Sequence, residues 1–409
     1  MTHDNTALAH GWRDGFPAAG AAVRRPRERP VFEFPHSRWA FSHLRELQPT
    51  RNVPRGLGPV SVLPRAERPE LDTLRFERFG DGAPTDWLSA LQAIHADGAV
   101  VLHRGRIVYE RYFGALDEHG QHMAMSVTKS VVGTLAAMLA AEGALDEHAR
   151  VTHYIPELAG SAFGHASVRQ VMDMTTDIDY SEDYADPDAG VWKHARAGEL
   201  LPRPAGYAGV EGYRQFLQTV QGRGEHGRAF AHRTVNTDVL GWLIGRVTGQ
   251  PLATVLAERI WSRIGAEQDA SFALDGQGAD FAGGGLCTGL RDLARLGETL
   301  RLGGFFNGVQ VVPEAVVADI RRGADPQRFA LAGYTRLAGW SYRNMWWVAH
   351  DAHGTFTAQG IHGQALHIDP VAEMVVARFA SHPLAANAHL PTSMPAFRAM
   401  AAHLMGEGG

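Results

Sequence analysis

The sequence predicts an α/β (α+β) fold in which an antiparallel sheet is flanked by helices and a mostly helical segment is inserted. Three observations favour this class. Two β-rich runs joined by a glycine turn occupy 99–114, an apolar helical stretch occupies 126–143, and β-rich runs return after residue 345. Because strands near both ends enclose a helical middle, we expect distant segments to build one sheet.

The first 85 residues are predicted to form an extended N-terminal arm. Residues 1–35 are rich in Gly, Ala, Arg and Pro without a period, which indicates an exposed or disordered lead-in. Residues 36–47 have the spacing of a short amphipathic helix, and residues 49–70 carry five prolines. A further helix is expected at 87–95, directly before the first sheet signal.

The sheet domain is predicted to comprise residues 86–150 and 281–409, and a helical domain to comprise residues 151–280. Runs at 99–103 and 107–114 predict a hairpin, and the apolar stretch after it predicts a buried central helix that ends at a glycine. In the last third, further strands are expected at 345–348, 364–370 and 374–379, followed by a helix at 394–405.

Composition excludes several function classes. The 409 residues carry a net charge of −5, so a nucleic-acid partner is not expected. No apolar run approaches the roughly 18 residues that span a membrane, and the N-terminus lacks the features of a secretory signal, so a cytoplasmic protein without a membrane partner is expected. A single cysteine excludes an intramolecular disulfide, and the 21 histidines show no metal-ligand spacing, so neither a metal nor a cofactor is predicted.

Ser126 and Lys129 are the candidate reactive pair. Residues three apart on a helix are neighbours, and Ser126 would stand at the helix end where free N–H groups point outward. Lys129 and Lys193 are the only lysines, against 37 arginines, and only lysine can lose its proton when desolvated. The pair therefore predicts a nucleophilic serine with a lysine base, and the alternative is a helix-capping serine beside a structural lysine.

Three polar segments could complete such a site. The segment 230–236 precedes a helix and carries polar side chains at alternate positions, as a proton-shuttling loop could. The loop 177–186 contains two phenols, and 359–364 is a glycine-flanked strand entry where backbone could approach a ligand closely.

The chain resembles the serine β-lactamase and penicillin-binding-protein superfamily. The run MSVTKS at 125–130, the F-x-H-x-T-x-N segment at 230–236 and the later GIHGQ strand carry the resemblance. Within the superfamily it is most similar to the 6-aminohexanoate-dimer hydrolases (nylon oligomer hydrolases) and the family VIII carboxylesterases, from HSRWAF at 36 to near the C-terminus. The resemblance implies a β-lactamase-like fold with a cleft between a sheet domain and a helical domain.

The resemblance also implies roles for single residues. Ser126 would be the acylated nucleophile and Lys129 its base. Tyr184 would meet the leaving amine, and Trp347 would line the pocket. The backbone N–H groups of Ser126 and Ile361 would form the oxyanion hole, so a small ester or linear amide is the expected substrate.

Four further positions bear on this expectation. The family has a catalytic tyrosine where this chain has His232, which either shares the proton shuttle with Lys129 or is a spectator in an impaired site. Asn236 and His362 are candidate substrate contacts, although a neutral histidine holds a substrate carboxylate poorly. Ala195 and Gly283 stand where the family has polar side chains that assist binding of the nylon dimer, which favours short-chain esters or another amide.

Three functions stay open on the sequence alone. A hydrolase passes the acyl group from the serine to water, and a transacylase passes it to an amine. A catalytically impaired binding protein would keep the fold without the chemistry. The resemblance suggests a homodimer in each case.

Overall fold

The computed structural model describes residues 32–386 and 390–406, and all structural statements below concern those residues. Of the lead-in predicted for residues 1–35, residues 1–31 lie outside the described ranges. The division into an arm, a sheet domain and a helical domain stays a prediction.

The strands of the described residues are mostly short, and the longest lie in one sheet. In chain order they are β1 (Thr50–Val53), β2 (Arg75–Glu77), β3 (Pro84–Asp86), β4 (Ala96–His103), β5 (Arg106–Tyr112), β6 (His122–Met123), β7 (Ala270–Ala273), β8 (Leu286–Thr288), β9 (Phe305–Phe306), β10 (Val309–Gln310), β11 (Ser341–Arg343), β12 (Trp346–Val348), β13 (Phe356–Gly360), β14 (Gln364–Asp369) and β15 (Met374–Ala380).

The helices range from single turns to four turns. In chain order they are α1 (Ser37–Ala40), α2 (Leu44–Leu47), α3 (Trp87–Ala93), α4 (Val127–Ala141), α5 (Val151–Tyr154), α6 (Val168–Met172), α7 (Gly190–Ala197), α8 (Tyr213–Thr219), α9 (Thr234–Thr248), α10 (Leu252–Leu256), α11 (Leu290–Arg301), α12 (Glu314–Arg322), α13 (Pro326–Ala330) and α14 (Leu390–Leu404).

The main sheet has seven strands in the order β11-β12-β13-β14-β15-β4-β5, and every neighbouring pair is antiparallel. The predicted hairpin is confirmed as β4 and β5, with His103 paired to Arg106. Its two turn residues, Arg104 and Gly105, have φ of 52° and 73°, as a tight two-residue hairpin turn requires. The predicted antiparallel sheet flanked by helices is therefore confirmed.

Both faces of the main sheet are covered by helices. Helix α11 packs against β4, β14 and β15. On β14, Leu366 faces Gly297 of α11. The next residue, His367, faces the opposite side of the sheet and stacks on Phe397 of α14, with ring centroids 4.9 Å apart. Because each face meets a helix, β14 and β15 are buried at every position instead of alternating between buried and exposed.

Helix α4 is the predicted central helix, and it is buried from Val127 to Leu139. It lies against the β11–β12 turn, where the indole N–H of Trp346 donates to the Thr134 hydroxyl at 3.0 Å. A Cβ at Gly133 would lie 2.2 Å from the Asn344 carbonyl oxygen, so this close approach requires glycine.

Gly133→Ala is therefore expected to lower the free energy of unfolding by about 2 kcal/mol. The destabilisation by overpacking of the core exceeds the stabilisation from the higher helix propensity of alanine. Chemical denaturation would measure the loss. Gly160→Ala is the matched control: a Cβ there has open space, so its effect should stay within about 0.5 kcal/mol. Equal stability of the two variants would contradict the packing argument.

The predicted helix at 36–47 is two short helices, which corrects the prediction. The ring of His43 bonds through Nδ1 to the Trp39 carbonyl oxygen at 2.9 Å and stacks on the Trp39 ring. That carbonyl is the acceptor that the His43 N–H would use in a continuous helix, and His43 has non-helical φ and ψ.

A second sheet, which the sequence did not predict, has four strands in the order β1-β7-β8-β6. It joins the proline-rich arm to a strand within the segment predicted as mostly helical. Beside it, the Ala124 N–H donates to the Leu286 carbonyl oxygen at 2.7 Å. This sheet therefore holds the chain two residues before Ser126.

Candidate active site

Ser126 lies at the start of α4, directly after a left-handed residue. Met125 has φ of 46°, a left-handed backbone conformation that is uncommon for residues other than glycine. Ser126 then occupies the N-cap position without using its hydroxyl as a cap, and the residue is 9% exposed. The hydroxyl is thus free to react at the floor of a cleft.

Lys129 reaches back along the same helix to Ser126. Its Nζ lies 2.7 Å from the Ser126 Oγ and donates to the Gly283 carbonyl oxygen at 2.5 Å. The side chain is 1% exposed, and burial lowers its pKa to about 8 although the charges of Glu182 and Asp238 oppose the shift. A substantial neutral fraction near pH 8 gives the amine a lone pair that can accept the serine proton.

The Gly283 carbonyl oxygen that holds Lys129 is itself fixed by a buried carboxylate. Asp238 Oδ1 accepts the Gly283 N–H at 2.9 Å, and its Oδ2 lies 3.3 Å from His194 Nε2. A Cβ at Gly283 would lie 2.3 Å from the Thr234 methyl carbon, so glycine is needed there. Gly283 therefore lacks the polar side chain that the family has at this position, but its carbonyl oxygen accepts a hydrogen bond from Lys129.

His232 is paired with Glu182, a residue that the sequence interpretation did not single out. His232 Nδ1 lies 3.1 Å from Glu182 Oε2, and the Thr234 N–H donates to the other carboxylate oxygen. The imidazole stacks on Trp347 with centroids 5.6 Å apart. These three contacts fix both the position and the orientation of the ring.

The protonation states of this pair follow from its surroundings. The two side chains are only 14% and 7% exposed. Burial opposes ionisation of Glu182, but the hydrogen bond from His232 and the nearby positive charges outweigh it and lower the Glu182 pKa to about 2. Burial, together with the positive charges of Lys129 and Arg233, lowers the pKa of His232 by more than Glu182 raises it. A neutral imidazole with Nδ1–H donating to the carboxylate leaves Nε2 as a proton acceptor.

The backbone N–H groups of Ser126 and Ile361 are the candidate oxyanion donors. Neither the Ser126 N–H nor the Ile361 N–H donates a backbone hydrogen bond within the described ranges. A Cβ at Gly360 would lie 3.0 Å from the Ala124 carbonyl oxygen, so the end of β13 approaches the segment before Ser126 closely. His362 follows with φ of 63° and turns the chain away.

A cleft of about 930 Å³ opens above Ser126. It is lined by five of the predicted site residues, namely Ser126, Lys129, Tyr184, Ile361 and His362. Tyr184 packs edge-on against Trp192, and burial raises its pKa well above the usual value, so its phenol stays protonated. The Nδ1–H of His362 donates to the His382 carbonyl oxygen at 2.7 Å, and burial lowers the pKa of His362.

The other three predicted residues, His232, Trp347 and Asn236, are not among the residues that line this cleft. Trp347 is 5% exposed and packs under His232. Asn236 is fully buried: its Oδ1 accepts from the Thr176 hydroxyl at 2.7 Å, and its Nδ2 donates to the Arg233 carbonyl oxygen at 3.3 Å. We therefore expect Asn236 to hold the 230–236 segment in place without contacting substrate.

The family follows from comparison with known proteins. A family model described as beta-lactamase matches residues 85–390. The chain belongs to the beta-lactamase family. A curated relative, the 6-aminohexanoate-dimer hydrolase of Paenarthrobacter ureafaciens, is 35% identical over 365 residues, which cover 89% of this chain and 90% of the relative. The predicted fold class and family are thereby confirmed, and this beta-lactamase family member is a hydrolase.

Solved structures agree with the fold of this beta-lactamase family member. A Bacillus anthracis protein, provisionally described as a 6-aminohexanoate-dimer hydrolase, is 31% identical with a TM-score of 0.86, covering 94% of this chain and 98% of its own. A family VIII carboxylesterase is 16% identical with a TM-score of 0.54, covering 76% of this chain and 97% of its own, and it shows the fold alone.

Two features that mark other kinds of function are absent from the described residues. In residues 32–386 and 390–406, no helix combines the length and apolar character that a membrane crossing requires. Over the same ranges, no group of three or more His, Cys, Asp and Glu side chains is arranged to hold a metal ion.

Proposed function

We propose that this protein hydrolyses small esters or linear amides through an acyl-enzyme on Ser126. The observation that carries the proposal is the 2.7 Å contact between the Ser126 hydroxyl and the buried Lys129 amine at the floor of the cleft. A serine beside an amine that can lose its proton near neutral pH is an activated nucleophile. The curated relative is named as a 6-aminohexanoate-dimer hydrolase, which is consistent with the proposal.

The reaction would proceed in two steps. Neutral Lys129 takes the Ser126 proton while the serine oxygen bonds to the substrate carbonyl carbon, and the Ser126 and Ile361 N–H groups stabilise the oxyanion. The leaving alkoxide or amine departs with the proton that Lys129 received. Water then attacks the acyl-enzyme and gives a proton to Lys129. The bond between the acyl carbon and the Ser126 oxygen breaks, Lys129 returns the proton to that oxygen, and the acid is released.

His232 has two roles open to it in this scheme. As a relay, its Nε2 would carry a proton between Lys129 and the leaving group, while Glu182 holds Nδ1–H in place. As a spectator, it would only fill the position of the family tyrosine. The contacts with Glu182 and Trp347 favour the relay, because they hold the ring in one orientation.

Covalent labelling tests the proposal directly. A fluorophosphonate probe should add its mass to Ser126 and to no other serine, and Ser126→Ala should abolish both labelling and hydrolysis of p-nitrophenyl esters. Ser89→Ala, at an exposed serine of α3 that does not line the cleft, is the control. Absence of labelling at high probe concentration would favour the impaired binding protein instead.

A substrate panel separates the alternatives that stay open. It should contain p-nitrophenyl esters, 6-aminohexanoate dimer and nitrocefin, and it should be repeated with an added amine acceptor. Release of free acid supports hydrolysis, and amide formation supports acyl transfer. A homodimer and a cytoplasmic location stay predictions, and light scattering would test the first.

The pH dependence should report Lys129. Since catalysis needs the neutral amine, kcat/KM for an ester should rise with pH and reach half its plateau near pH 8, where burial places the Lys129 pKa. Well below that pH the rate should fall about tenfold per unit as the amine gains its proton. Rates of p-nitrophenyl butyrate hydrolysis, corrected for the spontaneous reaction, would show this acid limb of the pH profile. A kcat/KM that does not change with pH would contradict the role of Lys129.

A further inference from the structure

The cleft has an apolar wall that begins at the reacting centre. We define the apolar wall as Met123, Met125, Ala195, Leu200, Phe281 and Ile361, all of which line the cleft. They belong to a small hydrophobic cluster that is separate from the main core, with Ala195 and Ile361 packed at its edge. Met125 precedes Ser126, and Ile361 carries a candidate oxyanion N–H, so a bound acyl chain would meet this wall first.

Fixed charges in the cleft are few and mainly positive. Among the described residues that line it, Lys129 and Arg196 are the basic groups, and Glu33 is the only carboxylate. Glu33 is exposed, whereas Arg196 is half-buried. His362 has a pKa lowered by burial, so it is neutral at pH 7 and offers no charge.

An acyl chain with a terminal ammonium would therefore be poorly matched. It would leave water for an apolar surface and would meet the Arg196 guanidinium, and none of the described residues that line the cleft offers it a buried carboxylate. Desolvation of an unpaired charge is far more costly than burial of a methylene group is favourable.

We propose that the acyl group transferred to Ser126 is an uncharged, apolar chain that lies along the apolar wall. This inference rests on the proposed function, because it names the substrate class of the same site. It distinguishes this protein from a hydrolase for acyl groups that end in an amine. The cleft also exceeds the volume of a short acyl chain, so the preference should extend beyond acetyl esters.

A matched series of p-nitrophenyl esters tests the proposal, because the leaving group stays constant. From acetate through butyrate to hexanoate, kcat/KM should rise about fourfold for each buried methylene. The 6-(trimethylammonio)hexanoate ester and its uncharged carbon isostere, the 7,7-dimethyloctanoate ester, differ only in charge. The uncharged ester should be faster by about 100-fold or more, and a monoadipate ester should also be slower than hexanoate.

A bulky side chain on the wall gives an independent readout. Ala195→Phe should lower kcat/KM at least about tenfold more for hexanoate than for acetate, because it fills space beside the chain. Lys193→Phe, on the exposed face of the same helix, is the control and should leave the series unchanged. Fluorophosphonate titration of Ser126 corrects each variant for its folded, reactive fraction.

The outcomes separate this inference from the proposed function. If no ester or probe acylates Ser126, the proposed function fails. If Ser126 is acylated but the cationic ester or the adipate ester matches or exceeds its uncharged counterpart, only the apolar-substrate inference is overturned. A rate that does not increase from acetate to hexanoate would also overturn it.

Discussion

Replacing Lys129 with arginine is expected to lower kcat/KM for p-nitrophenyl butyrate by about 10³-fold. Arginine keeps a positive charge but cannot give up its proton, so it cannot accept one from Ser126. General-base catalysis contributes roughly 10²–10⁴ in rate, and the 2.7 Å contact leaves no room for another base between the two groups. Lys129→Met, which removes the charge, should lose a similar amount.

The second lysine of the chain provides the control for this experiment. Lys193 is the only other lysine and is exposed, so Lys193→Arg should leave the rate unchanged. A Lys129→Ala variant should recover part of its rate when ethylamine is added, because a small amine can occupy the vacated space. Activity of Lys129→Arg within tenfold of the wild type would show that another group acts as the base.

The parts of the fold that could be predicted are those coded by neighbouring residues. The β4–β5 hairpin follows from two β-rich runs around Arg104 and Gly105, and α4 follows from an apolar run that ends at a glycine. The contact between Ser126 and Lys129 follows from their spacing on one helix face. The second sheet escaped prediction because β6 and β8 have two and three residues, too few for a recognisable pattern.

The parts of the site that could not be predicted depend on tertiary contacts. Glu182 is one of five acidic residues in 177–186, and nothing in that loop marks it as the partner of a histidine 50 positions away. The Gly283 carbonyl oxygen that holds Lys129 is a backbone group, which no side-chain pattern reveals. Asn236, by contrast, was predicted to contact substrate because it belongs to the 230–236 segment. In the structure its buried side chain bonds to Thr176 and to the Arg233 carbonyl oxygen.

Glu182 and Asp238 act on Lys129 in the same direction. Burial lowers the Lys129 pKa, and the negative charges of both carboxylates raise it, so the amine keeps a pKa near 8 through a balance of the two effects. Asp238 acts from the Gly283 side, and Glu182 acts from the His232 side. Removal of either negative charge should therefore make Lys129 easier to deprotonate.

Glu182→Gln is expected to lower kcat by about 10²-fold if His232 is the relay, because the neutral amide holds Nδ1–H less firmly and the relay loses its orientation. The same substitution should move the acid limb of the kcat/KM profile to lower pH, since the loss of the Glu182 charge lowers the Lys129 pKa. The two effects are separable, because a merely structural loss would lower the rate without moving the limb.

A double-mutant cycle with His232→Ala decides whether Glu182 acts through the imidazole. If it does, Glu182→Gln should cost little further rate in the His232→Ala background, although the shift of the acid limb should persist. Thermal unfolding of each variant checks that the fold is retained. If His232→Ala hydrolyses p-nitrophenyl butyrate as fast as the wild type, the relay fails, and Ser126 and Lys129 alone would carry the chemistry.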